Sequence, residues 1–493
     1  MSNAESNSHA DSAATTGESG SSSDYDDISG SLSVEHSSSI LTGNLRMAVL
    51  WLALPVLAEQ LLNSLVGFVD TWLSGHLDAS ISAAATSAIG IAVYVNWLAE
   101  LLYSLVGTGS TAVVARHWGA GERDKANRVA SCSMSLSLVI GVMGIAAVYF
   151  MAPVFGDILE LEDDSREMAV QYMQLVCFAH IFTAINLIGS AVLRGAGDMR
   201  TPMWVLGLVS VLNVVFSSVL VFGAGPIPAM GIVGIAWGTI LARLVGSVLM
   251  LTVLIGGRTD LIARPSIFSV SDRESTGRIM RIGGPALLDG ILLWTGHFLF
   301  LKVISGLGST PDEARATFAA HIVGIQVEAL NYLPAFAWGT AGATLVGQCL
   351  GAGDPRRARR GGHEAAFQAG LLALVTMVVF FFGAELIYAF MHRDPAVGMI
   401  GVPALRILAL AEIPLSLTIV YLVAVKGAGD TKTPLLLNFA GIFLIRLPIG
   451  YWLAVTQGWG LTGAWASIGI DVALRGSVAT FYFHSSRWAK TRV

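Results

Sequence analysis

Charge is what this sequence has least of. Only 13% of its 493 residues are Asp, Glu, Lys or Arg, 54% are hydrophobic, and the mean hydropathy is +0.67. Soluble domains carry about 25% charged residues, which excludes an ordinary soluble class and leaves an integral membrane protein. Cysteine is almost absent. Cys132, Cys177 and Cys349 stand too far apart for a disulfide framework or for metal-ligand spacing. There is no Walker A sequence, no HExxH and no G-x-S-x-G, so neither ATP-driven chemistry nor a membrane enzyme has a motif behind it. The run GTGSTA at Gly107 lacks the strand–turn–helix setting of a dinucleotide site and reads as small-residue helix packing. No cofactor and no nucleic-acid partner are expected.

Lys and Arg are missing from residues 1–40, which hold seven acids (Glu5, Asp11, Glu18, Asp24, Asp26, Asp27 and Glu35). The formal charge of −5 comes from there, because the remainder has 29 bases against 27 acids. Such an acidic, Ser-rich head buries too little apolar surface to fold and is expected to be disordered over 1–44. It also lacks the basic flank and apolar core of a secretory signal.

What the chain has in abundance is long apolar runs. A helix needs about 20 mostly apolar residues to cross the hydrocarbon. Twelve such stretches follow residue 45, near 47–72, 84–113, 129–153, 168–192, 202–223, 231–256, 282–306, 317–347, 365–388, 399–424, 434–455 and 460–483. The connections after even-numbered spans, with the two tails, carry 21 of the 29 Lys and Arg. The connections after odd-numbered spans carry three: Arg166, Arg315 and Arg393. This bias predicts both termini in the cytoplasm, in a cell (inner) membrane.

One polar phrase is written twice. RGAGDMRTPM begins at Arg194 and KGAGDTKTPL at Lys426, 232 residues later. GAGERDKANR at Gly119 and GAGDPRRARR at Gly351 repeat the same offset. PVLAE (Pro55–Glu59) answers PALLD (Pro285–Asp289), and GIVG at Gly231 answers GLTG at Gly460. The chain therefore reads as two copies of a six-span unit. The expectation is an all-α membrane protein with twelve transmembrane helices, in two six-helix lobes related by a parallel pseudo-twofold repeat. The N-lobe would be 45–256, a cytoplasmic linker 257–280, the C-lobe 281–485 and a cytoplasmic tail 486–493. Within the phrase, Arg194 or Lys426 suits the negative end of a helix, and the Gly-Ala-Gly run can end that helix at positive φ. Thr201-Pro202 and Thr433-Pro434 are expected to supply the cap and first-turn proline of the next helix.

These phrases, with GFVDT at the end of span 1, resemble those of the multidrug and toxic compound extrusion (MATE) family. The resemblance covers about residues 45–485 and implies a cation-coupled antiporter with a central cavity between two lobes. It implies that Asp70, in GFVDT, is the N-lobe aspartate of cation coupling. Asn213 resembles the asparagine that accompanies it in some branches, and Ser217 stands where archaeal members have a second acid. Asp70 and Asn213 are then candidate Na⁺ ligands. Glu328, in VEALNYLPAF, resembles a glutamate of bacterial members, while the span-10 aspartate of the vibrio-type branch aligns near Leu415 and is missing.

Acids inside a membrane are costly and invite a functional reading. Glu59, Asn63 and Asp70 fall on one face of span 1, a polar stripe that must face a cavity or another helix. Asp289 is the repeat partner of Glu59, and Glu412 that of His180. His321 lies seven residues before Glu328, on nearly the same face, and Glu100 stands in span 2. We expect cation coupling at Asp70, Asn213, Glu328 and Asp289. Glu59, Asn63, Ser217, Glu100, His321 and Glu412 would line the substrate cavity. The plainer alternative is that these groups hydrogen-bond between helices or, for Asp70, sit hydrated at the outer end of span 1. Arg243, Arg446 and Arg475 are explained by snorkelling or by pairing to an acid, and Trp51, Trp97, Trp294 and Trp338 suit an interface or a cavity wall.

The expected function is exchange of H⁺ or Na⁺ for small amphipathic organic cations, in a monomer within a lipid bilayer. An acidic cavity attracts cations. A flippase or exporter of another substrate on the same fold is the nearer rival, and a channel the more distant one.

Overall fold

The computed structural model describes residues 41–77, 82–158, 163–257, 261–264 and 272–491. Helices make up the molecule: α1 (Leu45–Gly75), α2 (Ser82–Gly119), α3 (Arg123–Ile158), α4 (Asp163–Val176), α5 (Ala179–Gly195), α6 (Arg200–Phe222) and α7 (Ile232–Gly256) in the first half. The second half has α8 (Arg273–Ser305), α9 (Pro311–Gly351), α10 (Pro355–Met391), α11 (Pro395–Ala409), α12 (Glu412–Gly427), α13 (Lys432–Thr456) and α14 (Gly460–His484). Among the described residues the only β pairing is one isolated bridge, Ala224 with Ile227. The acidic head, 1–40, lies outside the described residues.

Among the described residues eight helices are long and apolar enough to cross a membrane, ten if each of two bent pairs counts as one span. The remaining two predicted spans are also helical, within α9 and α14. Polar residues within them (Glu328 and Asn331, Asp471 and Arg475) dilute the apolar signal. Several helix starts follow from Asp or Thr before Pro. Thr310, Asp354 and Asp394 each cap through a side-chain oxygen, with Pro at the first helical position.

The bent pairs occupy matching places. Arg166–Val176 and Ala179–Gly195 meet at 52°, and Pro395–Ala409 and Glu412–Gly427 meet at 55°. His180 is the second residue after the first break and Glu412 the first after the second. Helix α13 carries two wide turns, Ala440–Arg446 and Trp452–Thr456, with hydrogen bonds reaching five residues back. Such π turns are frequent at functional sites.

Packing interleaves the halves. One core joins Ala48, Val49, Leu52, Ala53 and Val56 of α1 to α9, α10 and α12 of the second half. Its counterpart joins Ile279 and Ile282 of α8 to α2, α3 and α5 of the first. The far ends return home: Leu73 of α1 packs with first-half residues, and Phe300 and Ile304 of α8 with second-half ones. Each half thus lends the start of its first helix to the other's core, at the end of the bundle that carries Leu45 and His484.

Glycine permits the crossings at that end. A Cβ at Gly283 would lie 1.6 Å from the Leu105 carbonyl oxygen, and one at Gly109 2.3 Å from that of Ile279. A Cβ at Gly119 would lie 2.0 Å from the Gln348 carbonyl oxygen and one at Gly351 2.1 Å from that of Arg116. The last two contacts map onto each other by the 232-residue offset.

Candidate functional site

The repeated phrase builds the same turn twice. Gly197 and Gly429 both take φ of +91°, which closes α5 and α12. Asp198 Oδ1 accepts from the Thr201 and Arg200 amides, and Asp430 Oδ1 from the Thr433 amide. The side chains that satisfy the first amides are therefore the aspartates of GAGD, one residue before the N-cap positions Met199 and Thr431, and not Thr201 and Thr433. Arg194 and Lys426 do lie in the last turn, as expected, and each also finds an acid. The Arg194 guanidinium pairs with Glu59. Lys426 Nζ donates to Asp289 Oδ2 at 2.6 Å. Glu59 is 3% exposed and Asp289 fully buried, so neither carboxylate is free to line an open cavity, where Glu59 had been expected. Along α1, Glu59 is buried, Asp70 half-buried and Asn63 exposed.

In the first half the remaining polar groups gather inside α1, α2, α5, α6 and α7. Asp70 Oδ1 is buried with no hydrogen-bond partner among the described residues. Asn213 Nδ2 donates to Thr239 Oγ1 at 3.0 Å, leaving its Oδ1 without a partner, as is Ser217 Oγ. Ser217 meets Gly238, where a Cβ would come within 2.3 Å of its hydroxyl oxygen. Tyr103 and His180 share a 2.7 Å hydrogen bond through Nδ1, and His180 Nε2 is buried without a partner. Arg243 donates to Thr183 Oγ1 at 2.6 Å, and its charge bears on both Asp70 and the half-buried Glu100. Reasoning from sequence did not assign His180 and Tyr103 to this group. The signal available was their one-turn placement near Glu100 and at the helix break.

In the second half Glu412 is fully buried at the start of a half-helix, and both of its carboxylate oxygens lack partners among the described residues. Ser416 Oγ, one turn on, is in the same state. Asn331 donates to the Glu412 main-chain carbonyl at 3.2 Å, and half-buried Glu328 lies close enough for its charge to act on Glu412. A helix N-terminus favours negative charge at that position. His321 is a packing residue: its Nδ1 accepts from Trp465 Nε1 at 3.1 Å. Asp289 belongs to a separate chain of charges. Asn438 Nδ2 donates to Asp289 Oδ1 at 2.7 Å, Arg475 Nη1 to Asn438 Oδ1 at 2.7 Å, and Arg475 and Arg446 both donate to Asp471 Oδ2, at 2.6 and 2.9 Å. Pairing, not snorkelling, accounts for the two arginines. Asp471 went unnoticed in the sequence, although its i,i+4 spacing to Arg475 in an apolar helix marks it.

Trp97 and Trp294 come together across the halves with ring centroids 5.7 Å apart, whereas Trp338 is buried and donates to Gln368 at 2.9 Å. No group of three or more His, Cys, Asp and Glu could hold a metal ion among the described residues. What the sites offer is carboxylate, amide and hydroxyl oxygen, the donor set of a proton or a hard monovalent cation.

The family model described as MatE matches the chain over residues 55–219 and again over 285–452. The probable multidrug resistance protein NorM of Thermotoga maritima is 31% identical over 451 residues, covering 91% of this chain and 94% of the relative. The multidrug resistance protein PmpM of Pseudomonas aeruginosa is 26% identical over 457 residues, 90% of this chain and 91% of its own. Among solved structures, a MOP superfamily transporter from Pyrococcus furiosus superposes with a TM-score of 0.83 at 21% identity, covering 92% of this chain and 98% of that one. An outward-facing multidrug resistance MATE family transporter gives 0.82 at 22%, with the same coverage. At those identities the structures establish a shared fold. With the twofold match to the family model and the Thermotoga relative, they lead to one conclusion: this chain belongs to the MATE family of multi-span membrane transporters.

Proposed function

We propose that the protein is a secondary active multidrug antiporter that exchanges H⁺ or Na⁺ for amphipathic organic cations by alternating access. It would have twelve spans in two parallel six-helix lobes, with both termini in the cytoplasm. The matched bends, the matched positive-φ glycines and the two segments covered by the family model support the duplication. The close crossings between lobes gather at the end that carries Leu45 and His484, which suits a state closed to the cytoplasm.

One observation carries the reading. Carboxylate oxygens are buried without partners in both lobes, Oδ1 of half-buried Asp70 in the first and both oxygens of Glu412 in the second. An unpartnered buried carboxylate is too costly to be a fixture; it implies a visiting proton or cation. In the N-lobe, Asp70 with Asn213 and Ser217 would take the coupling ion, beside Glu100. In the C-lobe, Glu328 and Glu412 would take an ion or the cationic drug. Loss of negative charge when the ion enters weakens hold on the drug, which gives exchange.

The test is drug transport in proteoliposomes under imposed H⁺ and Na⁺ gradients, comparing the native protein with Asp70→Asn, Glu328→Gln and Glu412→Gln. Coupling should fall in at least one lobe's variants. Undiminished gradient-driven transport in all three would remove these residues from the coupling role, and a conductance far above carrier turnover would indicate a channel.

A further inference from the structure

The repeated phrase does more than turn the chain. The last carbonyls of a helix lack donors within the helix; here the Gly197 amide donates to that of Arg194 at 2.9 Å, and the opposite lobe adds further donors. Thr344 Oγ1 of α9 donates to the Arg194 carbonyl at 3.0 Å, and Gln348 Nε2 to that of Gly195 at 3.0 Å. In return Arg116 Nη2 of α2 donates to the Ala428 carbonyl at 3.3 Å. Gln348 is the repeat partner of Arg116, 232 residues on. The two lobes thus hold each other by the same turn, once in each direction, beside the Gly119 and Gly351 crossings.

Each gripped turn is anchored from beneath by a membrane-embedded acid: Glu59 through Arg194, and Asp289 through Lys426. We propose that Glu59 and Asp289 are positioning residues of the inner gate, each holding its cation away from the turn's carbonyls so that the opposite lobe can bind them. This builds on the alternating-access reading. A lysine or arginine near a helix C-terminus readily bonds the last carbonyls itself. Released from its acid, Arg194 competes with Thr344 and Gln348 for the Arg194 and Gly195 carbonyls, and Lys426 competes with Arg116 for that of Ala428. Loss of negative charge at either acid therefore loosens the lobe contact. The duplicated phrase is thus a charge-controlled latch, and it occurs twice because the contact is reciprocal.

A native thiol reads the latch. Cys349, next to Gln348, is fully buried in the core that α1 shares with α9 and α12, whereas Cys177 is buried at the bend between α4 and α5. Full-length protein in proteoliposomes is treated with N-ethylmaleimide and alkylation of each cysteine is followed by mass spectrometry. Glu59→Gln and Asp289→Asn should speed labelling of Cys349 about 5-fold or more relative to Cys177, and Glu59→Asp, which keeps the charge, should stay near the native rate. Should Glu59→Gln fail to fold, Arg194→Gln removes the same tie from the other side; because it also removes the competitor, it should label near the native rate. Unchanged Cys349 labelling in both neutral variants overturns the proposal. So does labelling of Glu59→Asp as fast as Glu59→Gln, or a parallel rise at Cys177, which would signal a loosened fold. If the native protein shows no gradient-driven transport, the antiporter reading fails, while the labelling ratios still judge the latch.

Discussion

Replacing Gly351 by Ala puts a methyl carbon 2.1 Å from the Arg116 carbonyl oxygen and 3.0 Å from the Ala120 amide, and Gly119→Ala puts one 2.0 Å from the Gln348 carbonyl oxygen. The obstructing atoms are backbone at the ends of two long helices, so no side chain can swing aside. The lobes must separate locally instead. Overpacking of this kind costs about 1–3 kcal/mol. If the lobes part as the alternating-access proposal requires, the strain exists only while they meet, and nearly all of it should appear as a shift between closed and open states, about 5- to 150-fold in the equilibrium. Spin labels at the exposed positions Asp124 and Arg356, on cysteines in a background without native thiols, report the separation by pulsed electron double resonance. Each alanine variant should move the distribution towards longer distances, by similar amounts, because the two contacts are reciprocal. Thermal unfolding of each lobe should change less than this opening. A native-like distribution in both variants would refute the closed inner end, and a shift in only one would refute its reciprocity.

Other expectations concern stability. Asp471→Asn leaves two buried guanidiniums sharing one neutral partner and should cost about 3–5 kcal/mol, read as a lowered melting temperature by tryptophan fluorescence; a change under one degree would contradict the ion triad. Gly324→Ala drives a methyl to 1.9 Å from the Trp465 ring. It should cost about 1–3 kcal/mol and be partly rescued by Trp465→Phe in a double-mutant cycle. Asp272 caps α8, and hydrogen bonds from Ser275 and Glu274 hold its carboxyl below the ordinary value of 3.8. A folded-state value depressed in this way adds stability above the unfolded value and loses it as pH falls through the folded one. The native protein should therefore shed that increment only below about pH 4, and Asp272→Ala, lacking it, should show a shallower acid limb in its melting curve.

Much was legible because membrane solvation is a one-dimensional constraint. A run of apolar residues must be a helix wherever lipid surrounds it, since no water is present to satisfy its backbone. All twelve predicted stretches fall in helices, two of them broken by a bend, and ten are apolar enough to count as spans when each bent pair is one, among the described residues. Repetition was legible too, because positive-φ glycines and capping aspartates act over three or four residues. Gly197 and Gly429 end their helices at the same angle. The cap was misread at Thr201 and Thr433 for an equally local reason: two polar residues in one short turn compete for the same amides.

The sequence by itself determined where the chain is helical, where each helix stops and which residues are too polar for lipid. Only the tertiary structure decided what those polar residues meet. Helical periodicity grouped Glu59 with Asp70, yet Arg194, 135 residues away, pairs with Oε1 of the first, while Glu59 Oε2 and Asp70 Oδ1 each stay without a partner among the described residues. Asp289 and Glu412 looked alike as acids in apolar helices, until Lys426 and Asn438 bonded the carboxylate of one, while Asn331 took only the main-chain carbonyl of the other. Pairing energy falls off within a few ångströms, whereas sequence spacing constrains position only along a single helix. The partners of a buried charge are therefore fixed when helices pack, and not before.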